Sequence, residues 1–302
     1  MDTNRHMPLT VPVASLLDSF HGEKPLRVWS LIITLYGDAI VPRGGSLWLG
    51  ALTEMMELFG IDSGHVRTAM SRLTTDGWLT RLRVGRNSYY QLSKRGIGSF
   101  GAATRRIYFA DKPAFDGRLH VALLGADINA RSATRTALAG AGFVPLTSTS
   151  SIALAAPSPD VMALDNVFFL AVEPSDETRR MAAAAWKLAD IARAYRAFIA
   201  RFAILADAAD APDKLDGPDA LVARILLIHA FRRIVLRDPD LPEQLLPRDW
   251  PQAGARKMAA DLYRRLVPAS EAWLSAHASN EEGPLPPPEA DFAFRFEQQK
   301  TI

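Results

Sequence analysis

The sequence predicts an α+β protein built from several units, on three observations. Helical runs give way to a pair of short extended segments over residues 26–92. A strand, a helix and further strands alternate over residues 118–172. Helical periodicity then dominates from Ser175 to His277. At 302 residues the chain has room for two or three compact units, and its 48% apolar and 23% charged residues can bury a core. The absence of cysteine excludes a disulfide scaffold, a thiol nucleophile and a Cys-ligated metal centre, and it fits a reducing cytoplasm.

Residues 1–22 contain Pro8 and Pro12, show little periodicity and read as an arm. The first unit spans residues 23–112. Residues 26–37 predict a buried helix ended by Gly37, and residues 47–59 predict a second that Gly60 stops. Asp62 or Ser63 can cap a third, running to about Asp76, because a short side-chain oxygen accepts from the unpaired amides of a first helical turn. At about 100° per residue, Val66, Ala69, Met70 and Leu73 share one face of this helix. Gly64, Arg67, Thr68, Ser71 and Thr75 lie opposite, flanked by His65 and Arg72. Two helices across a short turn, the second with one packing face and one small, polar, basic face, describe a helix-turn-helix whose second helix can enter the major groove. Residues 79–83 and 88–92 read as two strands around a Gly/Arg/Asn tip, which completes a winged helix with Arg83, Arg86 and Asn87 directed at phosphates or a minor groove. A basic hairpin on an unrelated domain, or a winged module that contacts protein, carries the same pattern.

Charge is distributed to match. Residues 21–112 hold 13 Lys/Arg against 7 Asp/Glu, a balance of +6, while residues 113–302 hold 21 against 24, a balance of −3. No acidic side chain falls between Asp76 and Asp111, a stretch that includes Arg81, Arg83, Arg86, Lys94, Arg95, Arg105 and Arg106. A basic stripe of this kind is the footprint of phosphate contact or of a solvated face.

Residues 113–175 form a second unit, a small α+β domain whose element order resembles part of a ferredoxin-like sheet. Residues 176–278 predict a helical bundle. There Met181, Ala184, Leu188, Ile191, Tyr195, Phe198, Ile199 and Phe202 form one apolar stripe of a continuous helix over residues 178–204, and Trp186 falls off it. Such a tryptophan packs against a neighbouring surface or stacks on a ligand. Residues 219–237 are apolar nearly all round until Arg232, apart from Arg224, so this helix is expected at the centre of its bundle, with His229 either a core histidine or, with Arg232 and Arg233, part of an anion pocket. Trp186, Tyr195, His229, Arg232 and Arg233 make up a candidate ligand-binding set. Residues 279–302, with Pro284 and Pro286-Pro287-Pro288, predict a mobile tail.

Other signals are weaker. Gly96-Ile97-Gly98-Ser99-Phe100-Gly101 matches G-x-G-x-x-G but lacks the surrounding β-α-β unit of a dinucleotide site. The six histidines have no metal-ligand spacing, and Asp127 alone is a poor basis for a nuclease metal site. No secretory start and no uninterrupted spanning segment is visible, which predicts a cytoplasmic protein without a membrane partner. No cofactor is expected.

Several blocks resemble the PaaX family, the phenylacetate-catabolism repressors of GntR-like winged-helix type. They are Leu35-Tyr36-Gly37-Asp38, Pro42-Arg43-Gly44-Gly45, Val66 to Leu73, Gly77-Trp78-Leu79, Gly85 to Tyr90, Arg106-Ile107-Tyr108, Trp186 with Tyr195-Arg196-Ala197-Phe198, and Asp238 to Trp250. The resemblance implies a homodimeric repressor that binds palindromic double-stranded operator DNA and is released by an aryl-acyl-CoA such as phenylacetyl-CoA; with it, residues 176–278 are read as the effector and dimerisation domain, and Trp186, Tyr195, His229, Arg232 and Arg233 as the candidate effector residues. It places Arg67, Ser71 and Arg72 on the recognition helix and Arg86 and Tyr89 on the wing. A metal-dependent nucleic-acid enzyme built on the middle domain and a winged-helix protein-interaction module are the alternatives.

Overall fold

The computed structural model describes residues 9–23, 25–109, 115–125, 131–209 and 215–297. In chain order these form α1 (Val11–Gly22), α2 (Val28–Leu35), a π-helical turn (Tyr36–Ile40), β1 (Ser46–Trp48), α3 (Leu49–Glu57), α4 (Ser63–Thr75), β2 (Leu79–Val84), β3 (Asn87–Leu92) and α5 (Lys94–Thr104) with a second π-helical turn (Arg105–Phe109). Next come β4 (Leu119–Leu124), α6 (Arg131–Gly140), β5 (Val144–Pro145), β6 (Ser150–Ala153), α7 (Pro159–Met162), β7 (Val167–Val172), α8 (Asp176–Ala185) and α9 (Leu188–Ala209). The chain continues through α10 (Gly217–Val235), α11 (Gln252–His277), β8 (Ser279–Asn280) and β9 (Gly283–Pro284). It is a mixed α and β structure, dominated by helix, with three small antiparallel sheets among the described residues.

The described residues group into two compact units. One is drawn from residues 1–110, 197–236 and 254–302, the other from 111–196 and 237–253. The grouping cuts across sequence order because α10 and α11 bond to N-terminal elements of the first unit.

In that unit α2 buries Val28, Leu31, Ile32 and Leu35, and α4 buries Val66, Ala69, Met70 and Leu73, the face its periodicity predicts. Beside α4 stands a sheet of order β1-β3-β2. Its outer strand β1 is absent from the sequence reading, because three residues are too few to show a period and its partner lies some forty residues on, with Trp48 opposite Tyr89.

The centre of the unit is ionic. Arg224, with no exposed surface, comes from α10 and donates to Asp38 Oδ2 at 2.6 Å, Glu271 Oε1 at 2.6 Å and Ser270 Oγ at 3.0 Å. The Asp38 carboxylate also accepts from Tyr108 at 2.5 Å, Tyr263 at 2.9 Å and Arg295 at 3.2 Å. Arg43 holds the second Glu271 oxygen at 2.9 Å and the Pro286 carbonyl at 2.7 Å. Three of the PaaX-like blocks, those containing Asp38, Arg43 and Tyr108, therefore meet in one buried network.

This network reaches into the expected tail. Residues 279–297 pack onto the unit, with Arg295 and Phe296 buried and the Glu289 amide bonded to the Pro42 carbonyl at 2.8 Å. Prolines exclude helix and ladder, but they do not prevent side chains on either side from being anchored. Within the expected arm, the described residues 9–22 include α1. α1 places Pro12 in its first turn, where a missing amide costs nothing, and buries Val13, Leu16 and Phe20.

The second unit is built on a sheet of order β5-β6-β4-β7, antiparallel throughout, with β4 central and its Leu119, Val121 and Ala122 buried. Ser175 and Thr178 form a capping box at the start of α8. The continuous helix expected over residues 178–204 is in fact two. α8 ends at Ala185, Lys187 takes a left-handed φ of 51°, and α9 starts at Leu188. The break resets the helical phase, so Trp186 is not an off-stripe residue. It packs on the cluster of Leu119, Ile152, Ala182, Leu188 and Leu245.

Candidate nucleic-acid interface

α4 is started by Asp62, whose Oδ1 accepts from the Gly64 amide at 2.8 Å and the His65 amide at 3.1 Å. The same carboxylate takes the His65 ring at 2.5 Å, which turns that imidazole back toward the cap. Local hydrogen bonds of this kind set where the helix begins, and the four buried apolar residues set which way it faces.

His65, Arg67, Thr68, Ser71 and Arg72 are all exposed. They are not equivalent. Thr68 bonds back to the Gly64 carbonyl at 2.9 Å, and Arg72 lies 5.2 Å over the Trp29 ring and 3.5 Å from Asp76. Arg67 and Ser71 make no side-chain hydrogen bond or ion pair among the described residues, which leaves both available to a ligand.

The hairpin is closed by a two-residue turn, with Val84 opposite Asn87 and Gly85 at φ 58° in the first central position, where a positive φ favours glycine. Arg83, Arg86 and Asn87 are exposed. Arg81 is committed to Ser88 Oγ at 2.6 Å, and Arg83 to the Gly85 carbonyl at 3.3 Å, whereas Arg86 makes no bond among the described residues. Tyr89 is less accessible than the rest of the expected set. It is only 9% exposed: in β3, between β1 and β2, it is flanked by Trp48 and Leu82 on the face opposite to the core-facing Tyr90 and Leu92.

The candidate effector residues divide between the units. Trp186 and Tyr195 belong to the second, where Tyr195 is buried and donates to Asp238 Oδ2 at 2.7 Å. His229, Arg232 and Arg233 belong to the first. His229 Nδ1 lies 2.9 Å from the Thr34 hydroxyl, which also accepts from Arg232 Nε at 2.7 Å. Burial, then the charges of Arg232 and Arg233, push the His229 pKa down to about 3. Arg233 pairs with Glu23 at 2.5 Å. The ionic role of Arg224 is the feature that the sequence reading missed; a lone cation within an apolar helix was its only signal.

Among the described residues no group of three His, Asp or Glu side chains could hold a metal ion, and Asp127 lies outside them. No helix among them is long and apolar enough to cross a membrane.

A family model described as PaaX-like protein matches residues 27–96, and one described as PaaX-like protein C-terminal domain matches residues 186–276. The transcriptional repressor PaaX of Escherichia coli (strain K12) is 35% identical over 286 residues, 90% of each chain. This chain belongs to the PaaX family. The first PaaX match runs from the residue before α2 into α5 and so contains α4, the hairpin and the Asp38 turn; the second PaaX match starts at Trp186 and ends within α11. A solved structure, the uncharacterized protein Rv0674 from Mycobacterium tuberculosis, is 25% identical and aligns over 74% of this PaaX-family chain and 89% of its own, with a TM-score of 0.44.

Proposed function

We propose that this chain is a DNA-binding transcriptional repressor of an aromatic-acid catabolic operon, not an enzyme. Residues 23–112 act as a winged helix-turn-helix, with α4 as the recognition helix and β2–β3 as the wing. The observation that carries the reading is α4 itself, one face buried through Val66, Ala69, Met70 and Leu73 and the other exposing unpartnered Arg67 and Ser71. The strand and helix order β-α-β-β-α-β of the second unit supports a ferredoxin-like sheet. As a homodimer the protein would present two recognition helices about 34 Å apart, one per half-site of a palindromic operator. Release by an aryl-acyl-CoA such as phenylacetyl-CoA completes the reading.

Binding of the purified protein to its own upstream DNA, titrated with salt, tests this. Tight binding that weakens steeply as salt rises is expected, since phosphate contacts release counterions. Binding that ignores salt would favour a protein-interaction module instead. Repeating the titration with phenylacetyl-CoA, free CoA and phenylacetate tests the effector, and only the thioester is expected to release the DNA.

Two substitutions separate reading from holding. Arg67→Ala is expected to cost about 1–3 kcal/mol on the operator and to relax base preference, as loss of a base-edge contact does. Arg86→Ala is expected to weaken operator and random DNA alike and to reduce the salt slope by about one. Equal losses on both DNAs for both variants would remove this division of roles.

A further inference from the structure

A cavity of about 210 Å³ lies in the first unit, between α2, the corner after α4, α5 and α10. Ile33, Trp78, Phe100, Ile107, Ile228 and Leu236 make its wall mostly apolar. One cation lines it. Arg232 donates through Nε to the Thr34 hydroxyl at 2.7 Å and through Nη2 to the Ser30 carbonyl at 2.9 Å and hydroxyl at 2.6 Å, all neutral partners. Its Nη1 has no partner, and no carboxylate pairs with Arg232, among the described residues. The one carboxylate on the wall, Asp38, is already taken by Arg224, Arg295 and two tyrosines. Burial, then the charge of Arg233, lower the Arg232 pKa to about 10, so the group stays charged at neutral pH.

A half-buried guanidinium with free donors and no counter-charge, beside an apolar space, is poised for a ligand that brings an oxygen on an apolar body. Size narrows the class. An engineered apolar cavity of about 150 Å³ admits benzene, so this one suits a single ring with a short chain. We propose that the cavity binds the aryl-acyl end of the effector, ring among Trp78 and Phe100 and carbonyl or carboxylate oxygen on Arg232 Nη1, with any larger carrier outside the mouth. The choice of an aryl-acyl group rests on the effector reading above; the site itself does not.

The cavity also touches what a repressor must move. Trp78 closes α4, its amide bonded to the Leu73 carbonyl at 2.9 Å, and its carbonyl accepts from the Ser93 amide at 3.0 Å at the foot of α5. That carbonyl stands 2.6 Å from where a Cβ on Gly96 would be, and the Phe100 ring stands 2.7 Å from where one on Gly37 would be. Contacts this close leave little slack, so a ligand that displaces Trp78 or Phe100 shifts the end of the recognition helix and the base of the wing together.

Calorimetry on the full chain with phenylacetyl-CoA, phenylacetate and CoA alone tests the proposal, alongside operator release by each. Ala103→Phe, which fills the cavity, and Arg232→Met, which removes its cation, are expected to weaken binding of the aryl-acyl compound about ten- to a hundredfold, while Trp186→Ala leaves it unchanged. Hydrogen exchange on the unsubstituted protein, which needs no variant to fold, is expected to show ligand protection in α5 and the end of α10. Binding undiminished in both folded variants, or protection elsewhere, would overturn the cavity and leave an effector-released repressor standing. Binding that both variants weaken, without DNA release, would support the cavity and overturn the effector reading. No binding of either aryl compound would overturn the cavity outright.

Discussion

Asp38→Ala is expected to lower the unfolding free energy by about 3–5 kcal/mol, the usual cost of removing one partner from a buried ion pair. The reason is what remains. Arg224 has no exposed surface and Arg295 is 7% exposed, so both guanidiniums would stay buried with their shared carboxylate gone. The hydroxyls of Tyr108 and Tyr263 would lose their acceptor too. Glu271 still balances one charge through Arg224 and Arg43, which is why partial rather than complete loss of folding is expected. Urea unfolding of the two proteins side by side measures the difference. Glu177→Ala, which removes the exposed partner of Arg180, is the control and is expected to change nothing measurable. A loss at Asp38 no larger than at Glu177 would mean that the network does not hold the unit together.

Lowering the pH from 7 to 5 is expected to destabilise the fold by about 2 kcal/mol through His229 alone. The folded pKa of about 3 lies below the ordinary histidine value of 6.5, because burial and then the charges of Arg232 and Arg233 oppose protonation. Between those two values the unfolded chain binds the proton and the folded one does not. The stabilisation is therefore full above pH 6.5 and is lost as pH falls toward 3. Glu23 acts lower down. Burial raises its pKa, but hydrogen bonds from Arg201 and Arg233 more than reverse this, so its contribution is held above pH 4.5 and lost below. The window from pH 7 to 5 thus isolates the histidine. His229→Gln is expected to flatten the stability profile there, and an unchanged slope in that variant would assign the proton elsewhere.

Much of the framework of the candidate interface was legible because its signals are local. The cap at Asp62, the stripe from Val66 to Leu73 and the turn at Gly85 depend on residues a few positions apart, and backbone geometry relates them directly. Elsewhere distant contacts decide. Tyr89 sits in a motif that reads as surface, yet Trp48 of β1, a strand of three residues, flanks it on the same face. The helix break at Trp186 and Lys187 carries no glycine or proline to announce it. The tail reads as mobile by composition, and Arg295 anchors it on Asp38 from 257 residues away.

By itself the sequence determined most of the helical and extended segments, the basic stripe, the absence of thiol chemistry and the family to which the chain belongs. Only the tertiary structure decided which charges are buried together, which exposed arginines are free and where an apolar space meets a cation without a counter-charge. The physical reason is that periodicity and capping act within a turn or two of chain. Burying Arg224, or leaving Arg232 uncompensated, is a property of side chains that meet only after α2, α10 and α11 have packed.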